Sequence, residues 1–211
     1  DSTSGGIRIV AGTDGADQAG ERKPEKEVHH WSDFCANDRR DTAMIFSGQK
    51  NQRQPAVAGS FYPAEYDVLV REVESHVDPK VKKSPAIGIV APHAGFMYSG
   101  DVAGAVYSKI EIPDTVILIG PNHTGHGEQV AVMTEGTWSM PMGDITIDRE
   151  LANAICEETD IAKQDASAHR FEHSLETQLP FLQYFKDKFK IVCSSNGFPI
   201  SCNPNGKLLL S

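Results

Sequence analysis

Two histidines follow strand-like aliphatic runs in the sequence, each between a proline and a glycine. His93 lies in 90-VAPHAGFMYSG-100, and His123 lies in 116-VILIGPNHTGHG-127. In open α/β sheets the ligand crevice lies at the carboxyl ends of the strands, where imidazole suits iron, copper or zinc. If the two strands are neighbours, the pattern predicts a metal site at His93 and His123. The alternative is that each imidazole only caps its own loop through hydrogen bonds.

A second group of ionisable side chains lies in 172-EHSLE-176. Glu172 and Glu176 have i,i+4 spacing, so we expect them to share a helix face near His173. A carboxylate beside an imidazole can fix its tautomer or tune it as a proton donor. We therefore predict His173 as a catalytic acid or base, with Glu172 and Glu176 in the pocket. The alternative is that acids at a helix start only complement the helix dipole.

Strand and helix patterns place both histidines on one βαβ unit. Continuous aliphatic runs at 86–92 and 115–121 are typical of strands buried on both faces of a parallel sheet. Residues 101–110 are helical in pattern and connect them, and a right-handed crossover is the rule for such units. Asp148 is the predicted N-cap of a later helix. We predict an α/β fold with a parallel or mixed sheet flanked by helices.

Composition restricts the class of protein. A chain of 211 residues fits one α/β domain, and a net charge of -9 argues against a nucleic-acid partner. Four widely spaced cysteines without a C-x-x-C pair fit a reducing, cytoplasmic setting better than a disulfide scaffold. No apolar run approaches the ~20 residues of a membrane span. We therefore expect a cytoplasmic protein with neither nucleic acid nor membrane as a partner.

The chain divides into three predicted segments. Residues 1–53 lack a sustained period and are predicted to be a disordered or non-native extension. Residues 54–192 carry the α/β pattern. The strand pattern breaks after Val192, and 193–211 has turn residues where a core strand should continue. A shift of one nucleotide in plausible codons for 193–198 restores an apolar strand, so we hypothesise a frameshift near Val192 and a truncated domain.

Five motifs in order give the sequence a specific resemblance. They are AGSFYP, APHAGFMYSG, ILIGPNHTG, the TWSMPMGD loop with its following ITID, and EHSLETQLPFLQ. Over residues 53–192 the sequence resembles the Memo family (mediator of cell motility), known in prokaryotes as AmmeMemoRadiSam system protein B. The resemblance implies a fold similar to class III extradiol dioxygenases. It also implies a pocket of two histidines, matched by His93 and His123, and commonly a cysteine from the C-terminal half. On that basis we expect the third ligand to be missing from this chain.

The resemblance leaves three functions open. The preferred one is a Memo-like protein whose intact form binds iron, copper or zinc at the histidine crevice, with the reaction undetermined. The first alternative is a non-haem iron extradiol-type dioxygenase. The second is a non-enzymatic module that binds a peptide or protein at the crevice with Phe61, Tyr62 and Phe96. The family also implies radical-SAM and other AmmeMemoRadiSam system proteins as partners, and a small molecule is a further possible ligand.

Overall fold

A computed structural model describes residues 7–13, 51–197, 200–202 and 208–210, with side chains described over 51–197. The strands in these ranges are β1 (Ile7–Thr13), β2 (Gln52–Arg53), β3 (Gly88–Pro92), β4 (Thr115–Pro121), β5 (Val130–Met133), β6 (Thr137–Trp138), β7 (Ile145–Ile147), β8 (Lys163–Gln164), β9 (Lys190–Asn196), β10 (Ile200–Cys202) and β11 (Leu208–Leu210). The α-helices are α1 (Tyr66–His76), α2 (Phe96–Tyr107), α3 (Arg149–Glu158) and α4 (Leu179–Phe185). Two short 3-10 turns cover Ser167–His169 and Glu176–Gln178.

Nine of these strands form one mixed sheet. Seven follow the order β2-β6-β7-β9-β4-β1-β3, while β5 pairs with β9 and β8 pairs with β5. The pairs β3–β1, β1–β4 and β4–β9 are parallel, whereas β5 runs antiparallel to β9. The predicted α/β fold, with a mixed sheet flanked by helices, is confirmed.

The two histidine-bearing strands are not neighbours, which corrects the assumption made from the sequence. Strand β1 lies between β3 and β4 and pairs in parallel with both. The crossover from β3 through α2 to β4 therefore skips one strand position. Local periodicity did not predict that β1 lies between β3 and β4, because strand pairing depends on contacts between residues far apart in the sequence.

Helices α1, α2 and α4 pack against one another, and α2 also contacts β3. Leu69 and Val73 of α1 are fully buried at i,i+4 spacing, and Tyr107 of α2 stacks on Phe181 of α4 with centroids 5.4 Å apart. A Cβ atom at Gly104 would collide with the His76 carbonyl, so this glycine permits the close approach of α1 and α2.

The predicted N-cap of α3 is confirmed. The Asp148 carboxylate accepts the backbone N–H of Leu151 at 3.2 Å, which satisfies one of the unpaired donors of the first turn. Helix α3 contacts β5, β8 and β9. It thereby covers a different part of the sheet from the one that α2 contacts at β3.

Strand β4 is fully buried on one face only, although its aliphatic run had predicted burial on both. Val116 and Leu118 are buried, whereas the alternate residues Ile117 and Ile119 remain partly open. Val90 of β3 is 44% exposed. Among the described residues, therefore, nothing packs closely enough on the second face to bury these aliphatic side chains.

Strand β9 continues to Asn196, four residues past the predicted break at Val192. Of the predicted extension 1–53, the backbone of β1 is described, and 1–6 and 14–50 lie outside the described residues. The three-segment division and the frameshift stay predictions. In the described part of the chain, no helix has the length and apolar character needed to cross a membrane.

Candidate metal centre

Three imidazoles converge at the carboxyl ends of β3 and β4. His93 directly follows β3, His123 follows β4 by two residues, and His173 lies in the loop before the second 3-10 turn. The Nε2 atoms of His93 and His123 are 3.3 Å apart, and ligand nitrogens of all three lie within 4.8 Å of one another. These three residues are called the histidine cluster below. They form a candidate metal centre.

The cluster is closed on one side and open on the other. His93 is buried, His173 is partly buried, and His123 is exposed. The rings of His123 and His173 stack with centroids 4.5 Å apart, and the Phe61 ring contacts His173 edge-on at 4.8 Å. A bound group can therefore be reached from the His123 side, while Phe61 limits access at His173.

Glu172 orients His123 through both of its carboxylate oxygens. Oε2 accepts the backbone N–H of His123 at 2.6 Å, and Oε1 accepts its ring Nδ1–H at 2.9 Å. Because Nδ1 carries the proton, the lone pair of His123 is on Nε2, which faces His93. Oε1 also accepts the backbone N–H groups of His173 and Ser174, each at 2.8 Å.

The same contacts determine the ionisation of the site. Burial by itself raises the pKa of Glu172, but the hydrogen bonds from His123 and Ser174 outweigh it and lower this pKa to about 2. Burial lowers the pKa of His173 to about 4, against the opposing charge of Glu172. At neutral pH, Glu172 is a carboxylate and His173 is a neutral imidazole.

The expectation of a missing third ligand is wrong. His173 lies beside His93 and His123, so the described chain contains three candidate ligands. The sequence had suggested His173 only as an acid or base, because the family resemblance pointed to a cysteine elsewhere. The sequence feature that could have identified His173 as a ligand is its position directly after Glu172, because a carboxylate can orient a metal-binding imidazole.

The donor set and the His93–His123 spacing fit a transition-metal ion. Zinc–imidazole bonds of about 2.0–2.1 Å at a tetrahedral angle separate two ligand nitrogens by roughly 3.3–3.4 Å. The His93–His123 separation of 3.3 Å lies in that range. Three imidazoles also leave a coordination position for water or another ligand, as catalytic zinc sites do.

Glu172 and Glu176 do not share a helix face, because residues 172–175 form a loop and turn rather than a helix. Glu176 is fully buried and forms an ion pair with Arg53 at 2.7 Å. It also accepts the Tyr62 hydroxyl at 2.5 Å and the backbone N–H of Ala56 at 2.8 Å. This carboxylate connects residues 53–62 to the 3-10 turn Glu176–Gln178.

The three predicted pocket aromatics have different surroundings. Phe61 contacts His173, whereas Tyr62 is 3% exposed and its pKa is raised by burial and by Glu176. Phe96 is also 3% exposed and packs against Tyr62 and Phe181. Their role in binding a ligand stays a prediction.

Arg53 is a site-supporting residue that the sequence did not reveal. Its guanidinium is buried, donates to the backbone oxygens of His169 and Glu172 at 2.7 and 2.6 Å, and lies 3.9 Å from the centroid of Trp138. Arg53 thus holds the loop that carries Glu172. No local pattern indicates this role, since His169, Glu172 and Trp138 lie more than 80 residues away in the chain.

The family model described as "Memo-like protein" matches residues 53–195, which include the whole histidine cluster and Glu172. A "MEMO1 family protein" of Archaeoglobus fulgidus is 47% identical over 140 residues, covering 66% of this chain and 52% of the relative. One of Sulfurisphaera tokodaii is 44% identical over 156 residues, covering 66% and 55%. The chain spans about half the length of these curated relatives. The extent of the family match shows that the chain belongs to the Memo-like protein family.

Proposed function

We propose that the histidine cluster binds a divalent transition-metal ion. The observation that carries the proposal is the convergence of His93, His123 and His173, with ligand nitrogens within 4.8 Å of one another. Glu172 supports it, because a carboxylate that accepts the Nδ1–H of His123 is the usual outer partner of a metal-ligating imidazole. Iron, copper and zinc are the candidate ions, since imidazole suits all three.

The chain's own residues would hold the ion in different ways. His93 offers a buried nitrogen, and His123 offers one whose tautomer Glu172 fixes. His173 offers a ring that stacks on His123, so its nitrogen can approach the ion by a small movement. When bound, the ion would supply Lewis-acid or redox chemistry at the open side of the cluster.

Metal titration of single alanine variants tests this function. Zinc, copper(II) and anaerobic iron(II) are titrated calorimetrically into the chain, and bound metal is measured after desalting. We expect one ion per chain and loss of stoichiometric binding in His93→Ala, His123→Ala and His173→Ala. The matched control is His126→Ala, since His126 is exposed and does not belong to the cluster. Equal binding by all four variants would refute the proposed site.

A second candidate function is oxygen-dependent ring cleavage by bound iron. It is favoured by the open side of the cluster at His123 and by the proximity of His173, which could then exchange a proton instead of binding the ion. Anaerobic iron loading followed by oxygen-uptake measurements with catechols tests it. Iron binding without uptake would favour the third candidate, a module that binds a peptide or protein next to Phe61.

Location and partners are also proposals. We propose that the protein is cytoplasmic and that it associates with radical-SAM and other AmmeMemoRadiSam system proteins. Family resemblance is the basis of this proposal. The net charge of -9 supports the absence of a nucleic-acid partner. Co-purification of the tagged chain with a radical-SAM protein encoded nearby tests the association. Retention in His93→Ala would show that the association does not need the histidine cluster.

A further inference from the structure

We infer that β1, a strand outside the family match, positions β3 relative to β4 and thereby sets the geometry of the histidine cluster. The inference rests on the proposed function only where it concerns metal affinity. The family match begins at Arg53, whereas β1 covers Ile7–Thr13. A segment outside the matched residues would thus control a site made of matched residues.

The pairing of β1 carries the inference. Its residues Ile9–Thr13 pair in order with Gly88–Pro92, the whole of β3. Its residues Ile7–Ala11 pair with Thr115–Ile119 of β4. Val10 therefore has a partner on each side, Ile89 in β3 and Leu118 in β4. Backbone hydrogen bonding makes β1 a central strand rather than an edge strand.

Strand β3 depends on β1 for its place in the sheet. In the described part of the chain, β3 is the last strand of the sheet order and pairs with β1 alone. Its other connections include the packing of α2, a hydrogen bond of 3.0 Å from Gln178 Nε2 to the Pro92 oxygen, and the burial of Ala91 in the core. If β1 were released, β3 would have no ladder partner or would have to move towards β4.

Such a movement is large on the scale of the cluster. Neighbouring strands lie about 4.8 Å apart, so β3 and β4 are separated by roughly 10 Å across β1. His93 and His123 span the end of β1 to bring their Nε2 atoms within 3.3 Å. The pair Thr13–Pro92 is the last of the β1–β3 ladder and directly precedes His93. A displacement of β3 by one strand position, about 4.8 Å, would exceed the 3.3 Å that separates the Nε2 atoms of His93 and His123.

Proline substitution in β1 tests the inference. Proline removes a backbone donor and is poorly tolerated in a central strand, whereas alanine keeps the amide. We compare Val10→Pro with Val10→Ala as the matched control, and use Thr13→Pro as a milder variant at the end of the ladder. Retained far-UV circular dichroism identifies the variants that remain folded.

Two readouts separate this inference from the proposed function. Hydrogen exchange of the β3 and β4 amides and NOEs between the His93 and His123 rings require no metal. We expect faster exchange at Gly88–Val90, loss of the ring NOEs and at least a tenfold weaker zinc affinity in folded proline variants, with Val10→Ala unchanged.

If Val10→Pro unfolds, the Thr13→Pro variant decides the inference. Unchanged exchange and NOEs in a folded proline variant would overturn the inference, whatever the zinc affinity. Absence of zinc binding by the unsubstituted chain would instead refute the proposed function and leave the metal-free readouts to decide the inference.

Discussion

The carboxylate of Glu172 holds His123 at two points, its backbone N–H at 2.6 Å and its ring Nδ1–H at 2.9 Å. One buried side chain therefore fixes both the position and the tautomer of a candidate metal ligand. Because Glu172 also accepts the His173 backbone N–H, it connects two members of the histidine cluster. The site is a unit of three imidazoles and one orienting carboxylate.

Replacing Glu172 by glutamine should weaken metal binding by about 10–100-fold, the usual effect of losing an orienting partner. A glutamine has one acceptor oxygen, whereas the two carboxylate oxygens accept four N–H groups at this position. Zinc titration measures the change. Glu158→Gln, at an exposed position on α3, is the control and should bind as the unsubstituted chain does. An unchanged affinity in Glu172→Gln would show that orientation of His123 is unimportant.

Replacing Arg53 by methionine should lower the free energy of unfolding by about 3–5 kcal/mol, because it leaves the buried carboxylate of Glu176 without its cation. Urea denaturation followed by far-UV circular dichroism measures this. Arg149→Met is the control, since Arg149 is 73% exposed and lies 3.9 Å from Glu135. We expect that variant to change stability by less than about 1 kcal/mol. Similar losses in both variants would contradict the role assigned to Arg53.

Acid should destabilise the fold in a window set partly by His169. Burial, followed by the charge of Arg53, lowers the pKa of His169 from 6.5 to about 4. The unfolded chain therefore takes up a proton near pH 6.5, while the folded chain does so only near pH 4. Stability contributed by the neutral imidazole is present above pH 6.5 and is lost as the pH falls from 6.5 to 4.

Urea denaturation at a series of pH values checks the His169 prediction. His169→Gln keeps a donor for the Ala131 carbonyl, which His169 Nε2 contacts at 3.2 Å, but it cannot titrate. Between pH 6.5 and 4 this variant should lose less stability than the unsubstituted chain, and it should still lose some because burial also lowers the pKa of His173. Identical slopes in the two proteins would mean that His169 is not held neutral in the fold.

Replacing Gly104 by alanine should destabilise the protein by about 1–3 kcal/mol, because the new Cβ would meet the His76 carbonyl and force α1 and α2 apart. Thermal unfolding measures the loss. Ala105→Ser, one residue further along α2 at an exposed position, serves as the control and should be nearly neutral. A stabilised Gly104→Ala protein would show that helix propensity outweighs the close contact.

Local sequence patterns predicted what depends on short-range order. The aliphatic runs located β3 and β4, the residues after them located His93 and His123, and Asp148 was identified as a helix cap. The patterns did not reveal what depends on distant contacts. β1 is separated in sequence from both of its partner strands, and Arg53 reaches Glu172 across more than a hundred residues.

His173 shows a second limit. Its neighbours Glu172 and Glu176 suggested one helix face, yet the segment is a loop that carries the ring to His123. The family resemblance directed attention to a ligand outside the chain. Convergence of loops at the end of a sheet is a property of the folded backbone, and it is the fold that brings His173 to the other two imidazoles.

The half-open face of β4 has a practical consequence for the isolated chain. Ile117, Ile119 and Val90 give water access to aliphatic surface that a parallel sheet ordinarily covers. Such a surface favours adhesion between molecules as concentration rises. The folded chain should therefore enhance the emission of anilinonaphthalene dyes at low concentration and sediment as larger species at high concentration. Ile117→Thr and Ile119→Thr together should reduce both effects, so these two positions are the first to change for preparing concentrated samples.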